Sequence, residues 1–179
     1  MKRIKTLLKE FKKNSPMNEE IQILYDYIVK NKPQKKIVEL GCGDTTFALS
    51  LAIKVANLYP LQSIDLDMGR INMYGKSLAS IGLQNYCQFY HGDSVNILAS
   101  VFNPETISFI FIDTSHTFPQ TLAEIVLSVS VLEKNGRIFL HDTKIGEVRM
   151  AIYKFLELAP DWEFYEYNTK AGLGVLKRK

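Results

Sequence analysis

At 179 residues, with 46% apolar and 23% charged side chains, the chain fits one globular domain with an apolar core of its own. No stretch approaches the roughly 18 uncharged apolar residues of a membrane span, and no secretory signal is read at the N-terminus. The net charge of +3 sits at the ends. Six basic residues face Glu10 within residues 1–13, and Lys177, Arg178 and Lys179 close the chain, so the body is acidic and a nucleic-acid partner is not expected.

Cys42 and Cys87, the two cysteines, fall in different segments and make neither a disulfide framework nor a metal knuckle, so a cytoplasmic setting is expected. In chain order, Ile4, Leu7, Leu8 and Phe11 recur at helical spacing, predicting an amphipathic helix over 2–13 with a lysine face. It either packs on the domain or makes peripheral membrane contact. Ser15-Pro16 reads as the cap of a second helix whose stripe is Met17, Ile21, Leu24, Tyr25 and Ile28, stopped by Asn31-Lys32-Pro33. Residues 1–34 are thus expected as helices packed on a domain that spans 35–179.

From residue 35 the chain alternates. Strands are predicted at 35–40, 61–66, 86–90, 107–112 and 137–141. Helices follow them, ending near Asn57 and spanning 68–81, 94–101, 117–132 and 145–158. Five β-then-α units predict a doubly wound parallel sheet in a Rossmann-like α/β fold. Strands at 162–167 and 172–176 are joined by Asn168-Thr169-Lys170-Ala171, a link short enough only for an antiparallel hairpin. The expected sheet therefore has seven strands, five parallel plus the C-terminal hairpin.

Val38-Glu39-Leu40-Gly41-Cys42-Gly43 follows a strand and opens a helix, where glycines let backbone approach a ligand. A dinucleotide site would place a third glycine where Thr46 stands, and Glu39 would repel a pyrophosphate. Beside the cationic sulfonium of S-adenosylmethionine, Glu39 is favourable. A turn without a ligand is the alternative. Strand two ends Ser63-Ile64-Asp65-Leu66-Asp67, an acid about 20 residues after the glycines, where this fold grips a ribose. Asp65 is the choice, with Asp67 as alternative or as cap of the next helix. The E-x-G-x-G run and the terminal hairpin resemble class I methyltransferases.

Ile112-Asp113-Thr114-Ser115-His116 carries an acid at the end of an apolar strand and a histidine three residues later. Thr117 and Gln120 read as a capping box for the following helix, which leaves Asp113 and His116 free at the sheet's carboxyl edge. The next strand ends His141-Asp142, so Asp113 and Asp142 are expected side by side. Such a pair either holds a cation, with Mg²⁺ suiting oxygen ligands, or is two hydrated loop acids.

The runs I-F-I-D-x-x-H-T-F, G-R-I-F-L-H-D and G-L-G-V-L resemble the metal-dependent O-methyltransferases acting on sugars and glycosides, and more distantly catechol O-methyltransferase. The resemblance covers about residues 35–177. It implies a cofactor site of Glu39, Gly41, Cys42, Gly43, Thr46, Asp65, Leu66, Asp93, Ser94 and Asp113, with Asp93 meeting the adenine. Read from its residues alone, Asp93 is equally a turn residue ahead of a Ser94 cap. It further implies Mg²⁺ on Asp113 and Asp142, and His116 as general base. The family's usual third ligand position is Thr143 here, and His141 is a substitute only if its side chain turns inward. The implied reaction moves a methyl group from S-adenosylmethionine to a hydroxyl of a small molecule or sugar, in a chain that acts alone or as a homo-oligomer. Metal-independent methylation of N or O, a non-catalytic cofactor-binding subunit and a dehydrogenase are the competing readings.

Overall fold

In the computed structural model, which describes residues 19–179, helices and strands alternate. Helix α1 (Glu19–Asn31) leads into β1 (Lys36–Leu40), α2 (Asp44–Ala56), β2 (Leu61–Asp65), α3 (Met68–Ser80) and β3 (Cys87–His91). Then come α4 (Ser94–Val101), β4 (Ile107–Ile112), α5 (Phe118–Val131), β5 (Leu132–Leu140), α6 (Gly146–Leu158), β6 (Trp162–Tyr167) and β7 (Leu173–Arg178). The helix expected over 2–13 and the Ser15-Pro16 cap lie outside the described residues. Among the described residues, no helix is long and apolar enough to cross a membrane.

The seven strands pair in the order β3-β2-β1-β4-β5-β7-β6. The first five are parallel, and β7 runs antiparallel to both β5 and β6, as the short hairpin link requires. This is the Rossmann-like sheet of five parallel strands and a terminal antiparallel hairpin that the sequence predicts. Strand order reverses between β1 and β4, so their carboxyl ends diverge and leave a crevice at that point.

Alternation along the central strands divides two apolar layers. Phe109 and Phe111 of β4, with Ile37 and Phe139, pack toward Leu24, Ile28, Leu49 and Ile53 of α1 and α2. Ile110 and Ile112, with Val38, Ile138 and Leu140, pack toward Ile125 of α5 and Val148, Ile152 and Phe155 of α6. A strand buried on both faces reads as continuously apolar for this reason. Helix α1 thus shares a core with the sheet.

Two local expectations are corrected. Thr117 takes the N-cap position of α5, but no capping box forms: Gln120 turns its amide to Ser94 Oγ (3.0 Å) and Glu124 Oε1 (3.2 Å). Strand β5 begins at Leu132 directly after α5, and its register with β4 jumps from Ile107↔Leu132 to Phe109↔Arg137. The Glu133–Gly136 stretch, rich in turn residues, bulges out between those pairs.

Candidate active site

The carboxyl ends of four parallel strands surround a cavity of about 360 Å³, within the size range of small-molecule sites. Its wall includes Gly41 after β1, Asp65 and Leu66 at the end of β2, Gly92, Asp93 and Ser94 after β3, and Asp113 and Thr114 after β4. Sequence positions expected to meet a cofactor therefore converge from four separate segments. The glycine at 41 is required twice over. Its φ is +88°, and a Cβ there would run into the carbonyl of Asp113.

Each expected residue has a definite place. Asp65, 7% exposed, accepts from the backbone N–H of Cys42 (2.9 Å) and of Asp67 (2.7 Å), which leaves lone-pair capacity on Oδ1 for a ligand hydroxyl. Asp67 is the N-cap of α3, accepting from Gly69 and Arg70, and does not line the cavity. Asp93 caps α4 through Asn96 N–H (3.0 Å) and still faces the cavity, whereas Ser94 is not a cap. Leu66 is exposed on the rim. Cys42 is buried and ties the glycine loop to Asp65 through both its N–H and its thiol.

Glu39 and Thr46 do not reach the cavity wall, so the direct sulfonium contact expected of Glu39 is replaced by a structural role. Glu39 is fully buried and accepts from the hydroxyls of Thr45 (2.6 Å), Thr46 (2.7 Å) and Ser63 (2.7 Å). Thr46 in turn accepts the N–H of Gly43 (2.9 Å), so a buried carboxylate fixes the shape of the glycine loop. Burial pushes the Glu39 carboxyl up to about 7, against the three hydroxyls that favour its ionised form.

Arg70, Thr114 and Gln120 are among the cavity residues that were not foreseen. Arg70, one turn into α3, donates to the Cys42 carbonyl and lies 3.7 Å from Asp65. The only hint was a base soon after the Asp65/Asp67 pair. Thr114 and Gln120 join Ser94 around the buried carboxylate of Glu124, which burial pushes upward. An acid on the apolar face of α5 was the available signal.

Beside the cavity lies a second cluster. Asp113, His116, His141 and Asp142 each present a ligand atom, all within 4.8 Å of one another. His116 Nε2 is 3.1 Å from Asp113 and 3.2 Å from Asp142, and His141 Nδ1 is 3.3 Å from the same two oxygens. Strand alternation explains His141. It shares a face with Phe139 and Phe111 and points toward α1, where its Nε2 meets Glu20 at 2.9 Å. His116 (φ +58°) and Asp142 (φ +54°) both adopt the left-handed conformation, which turns their side chains back over the sheet edge. Burial alone would raise Asp113, but the flanking imidazoles outweigh it and hold the carboxyl well below its usual range. Burial alone would lower His141; Asp113, Glu20 and Asp142 lift it to about 9. His116 is raised, chiefly by its bond to Asp113.

Mg²⁺ was the metal implied by resemblance, and this donor set does not fit it. Mg²⁺ takes oxygen ligands, whereas two imidazole nitrogens here interleave with the two carboxylates. Thr143, at the expected third position, is buried and donates to Glu166.

Sheet order, the switch-point cavity and the glycine loop define a class I S-adenosylmethionine-dependent methyltransferase. Residues 38–143, more than half of the chain, match the family described as a methyltransferase domain, and the chain belongs to it. No curated protein matches the chain by sequence. Among solved structures it is similar to a putative caffeoyl-CoA O-methyltransferase from Staphylococcus aureus (14% identity, TM-score 0.74, covering 97% of this chain and 91% of that one). It is also similar to a methyltransferase from Podospora anserina bound to S-adenosylhomocysteine (16%, 0.73, 89% and 77%). A third is an O-methyltransferase of tomaymycin synthesis from Streptomyces achromogenes, in complex with S-adenosylmethionine (13%, 0.71, 89% and 79%).

Proposed function

We propose that the protein transfers a methyl group from S-adenosylmethionine to a hydroxyl oxygen of a small molecule, with sugar hydroxyls as the leading acceptors. One observation carries this reading: Asp113 belongs both to the cavity wall and to the histidine–aspartate cluster. A donor held in the cavity and an acceptor held at the cluster would therefore meet at one side chain. The cavity offers carboxylates at Asp65 and Asp93 for ribose hydroxyls and an adenine amine. Arg70 adds the cation suited to the cofactor's carboxylate.

A neutral alcohol is a weak nucleophile and needs its proton removed as the new bond forms. His116 is the group that takes it: its Nε2 donates to Asp113, which orients the ring and leaves Nδ1 as the nitrogen that accepts the proton. The acceptor oxygen then attacks the methyl carbon, the carbon–sulfur bond breaks with its electron pair left on sulfur, and S-adenosylhomocysteine leaves. Holding both reactants in line supplies much of the acceleration in such a transfer.

The experiment is calorimetry followed by a radiolabelled methyl-transfer assay across a panel of sugars and catechols. S-adenosylhomocysteine binding without NAD binding, and label appearing on an acceptor oxygen, support the reading. Binding of NAD in preference to S-adenosylhomocysteine overturns it. Label on nitrogen moves the reaction to N-methylation.

A further inference from the structure

We propose that His141, His116, Asp113 and Asp142 form a site for a first-row transition ion that accepts imidazole ligands, with Zn²⁺ as reference ion and selectivity against Mg²⁺. The proposal goes beyond the reading of methyl transfer, and the two exclude each other in time: an imidazole that ligates the ion cannot take a proton, so the ion-loaded state would not use His116 as base.

Three observations support it. The four nitrogen–oxygen separations around the cluster are 3.1, 3.2, 3.3 and 3.3 Å. A tetrahedron with metal–ligand bonds of about 2.0 Å has edges of about 3.3 Å, so these four separations match four of its six edges, and all four ligand atoms lie within 4.8 Å of one another. Secondly, His141 Nδ1 is buried and makes no hydrogen bond, although it faces both carboxylates. Its other nitrogen is engaged from outside by Glu20 at 2.9 Å, and the second oxygen of Glu20 is fixed by the N–H of Ala171 at 3.1 Å. Carboxylate on one ring nitrogen and the other aimed at the candidate ligand cluster is the arrangement by which proteins orient a metal-ligating histidine and set its tautomer.

The third observation is chemical. Two nitrogens and two carboxylate oxygens suit Zn²⁺ and its first-row neighbours, which bind imidazole well. An oxygen-seeking ion would leave both imidazoles poorly used. Glu20, from α1, thereby acts as a positioning residue for an ion it does not touch.

The test is a titration of chelator-treated full-length protein with Co²⁺, read by its visible ligand-field absorption, followed by competition. Zn²⁺ at equimolar concentration should displace Co²⁺, and a hundredfold excess of Mg²⁺ should not. Glu20→Gln should weaken Zn²⁺ binding by roughly 10–100-fold, the usual effect of losing a histidine's outer partner. His141→Ala should weaken it at least as much, with circular dichroism reporting that each variant is folded. Displacement of Co²⁺ by Mg²⁺ at concentrations similar to Zn²⁺ overturns the selectivity. No Co²⁺ or Zn²⁺ binding, or unchanged Zn²⁺ affinity in either folded variant, overturns the site. S-adenosylhomocysteine calorimetry on the same samples separates these failures from failure of the methyltransferase reading.

Discussion

Glu20 and His141, 121 residues apart in the chain, share a hydrogen bond of 2.9 Å between α1 and the rim of the sheet. Glu20 is 4% exposed, and its partner atoms are a side chain on β5's extension and the backbone of the β6–β7 link. Burying a carboxylate at that depth is costly unless it is hydrogen-bonded to a cation or to fixed donors. Both conditions hold here. The described part of the chain ahead of the matched methyltransferase span therefore contributes to the rim beside the cavity as well as to the core.

Asp65 is predicted to control cofactor affinity. Its carboxylate lines the cavity and also pins Cys42 and Asp67, so Asp65→Ala removes a ligand contact and loosens the glycine loop together. Calorimetry should show S-adenosylhomocysteine binding weakened by roughly 1.5–3 kcal/mol, the range for a charge-assisted hydrogen bond. Unchanged affinity in the variant would remove Asp65 from the cofactor site.

Glu39 should give the fold a pH dependence of definite sign. Its carboxyl rises from 4.5 to about 7 on folding. Below pH 4.5 both states are protonated. Between 4.5 and about 7 the unfolded chain loses a proton that the folded chain keeps, so this contribution to stability declines as pH rises and levels off above 7. The loss amounts to at most about 3 kcal/mol. Denaturant melts from pH 4.5 to 7.5 should show the wild-type curve falling relative to Glu39→Gln. Parallel curves would contradict the assignment.

Glu124 organises the wall opposite the glycine loop. Ser94, Thr114 and Gln120 all donate to it and all line the cavity. Glu124→Ala leaves those groups without their partner and should cost about 1–3 kcal/mol of stability. It should also weaken S-adenosylhomocysteine binding several-fold. Glu124→Gln should recover most of both, because it keeps an acceptor in place. A stable Glu124→Ala protein with native affinity would refute the arrangement.

Local pattern determined much of what was legible beforehand. The β-then-α alternation, the hairpin and the convergence of Gly41, Asp65 and Asp113 follow from periodicity and strand-end position, and the structure shows each; Asp93, expected there only from the resemblance, lines the same cavity. Partner choice across long separations was not legible. Glu39 looked like a ligand contact because its three hydroxyl partners, two of them beyond the glycines and one on β2, form a cage only after β1 and β2 pair. His141 was ambiguous because strand direction alone leaves the face undetermined until α1 is placed. Thr117 and Gln120 carried a capping signature, yet Glu124 one turn later competes successfully for the Gln120 amide.

The cluster at the rim makes its own prediction, which separates binding from chemistry. His116 and Asp142 lie off the cavity wall, whereas Asp113 is on it. With a working hydroxyl acceptor, His116→Ala should slow transfer by roughly 10²–10⁴-fold, as loss of a general base does, and leave S-adenosylhomocysteine affinity nearly unchanged. Asp113→Ala should impair both, since one carboxylate orients His116 at 3.1 Å and also faces the cofactor. Single-turnover rates and calorimetry on the two variants give four numbers, and the predicted pattern allows one of them alone to stay at the wild-type value. Partial restoration of His116→Ala turnover by added imidazole would identify the missing group as a proton acceptor. A His116→Ala enzyme with full turnover would place the proton elsewhere and reduce His116 to holding the Asp113–Asp142 pair together.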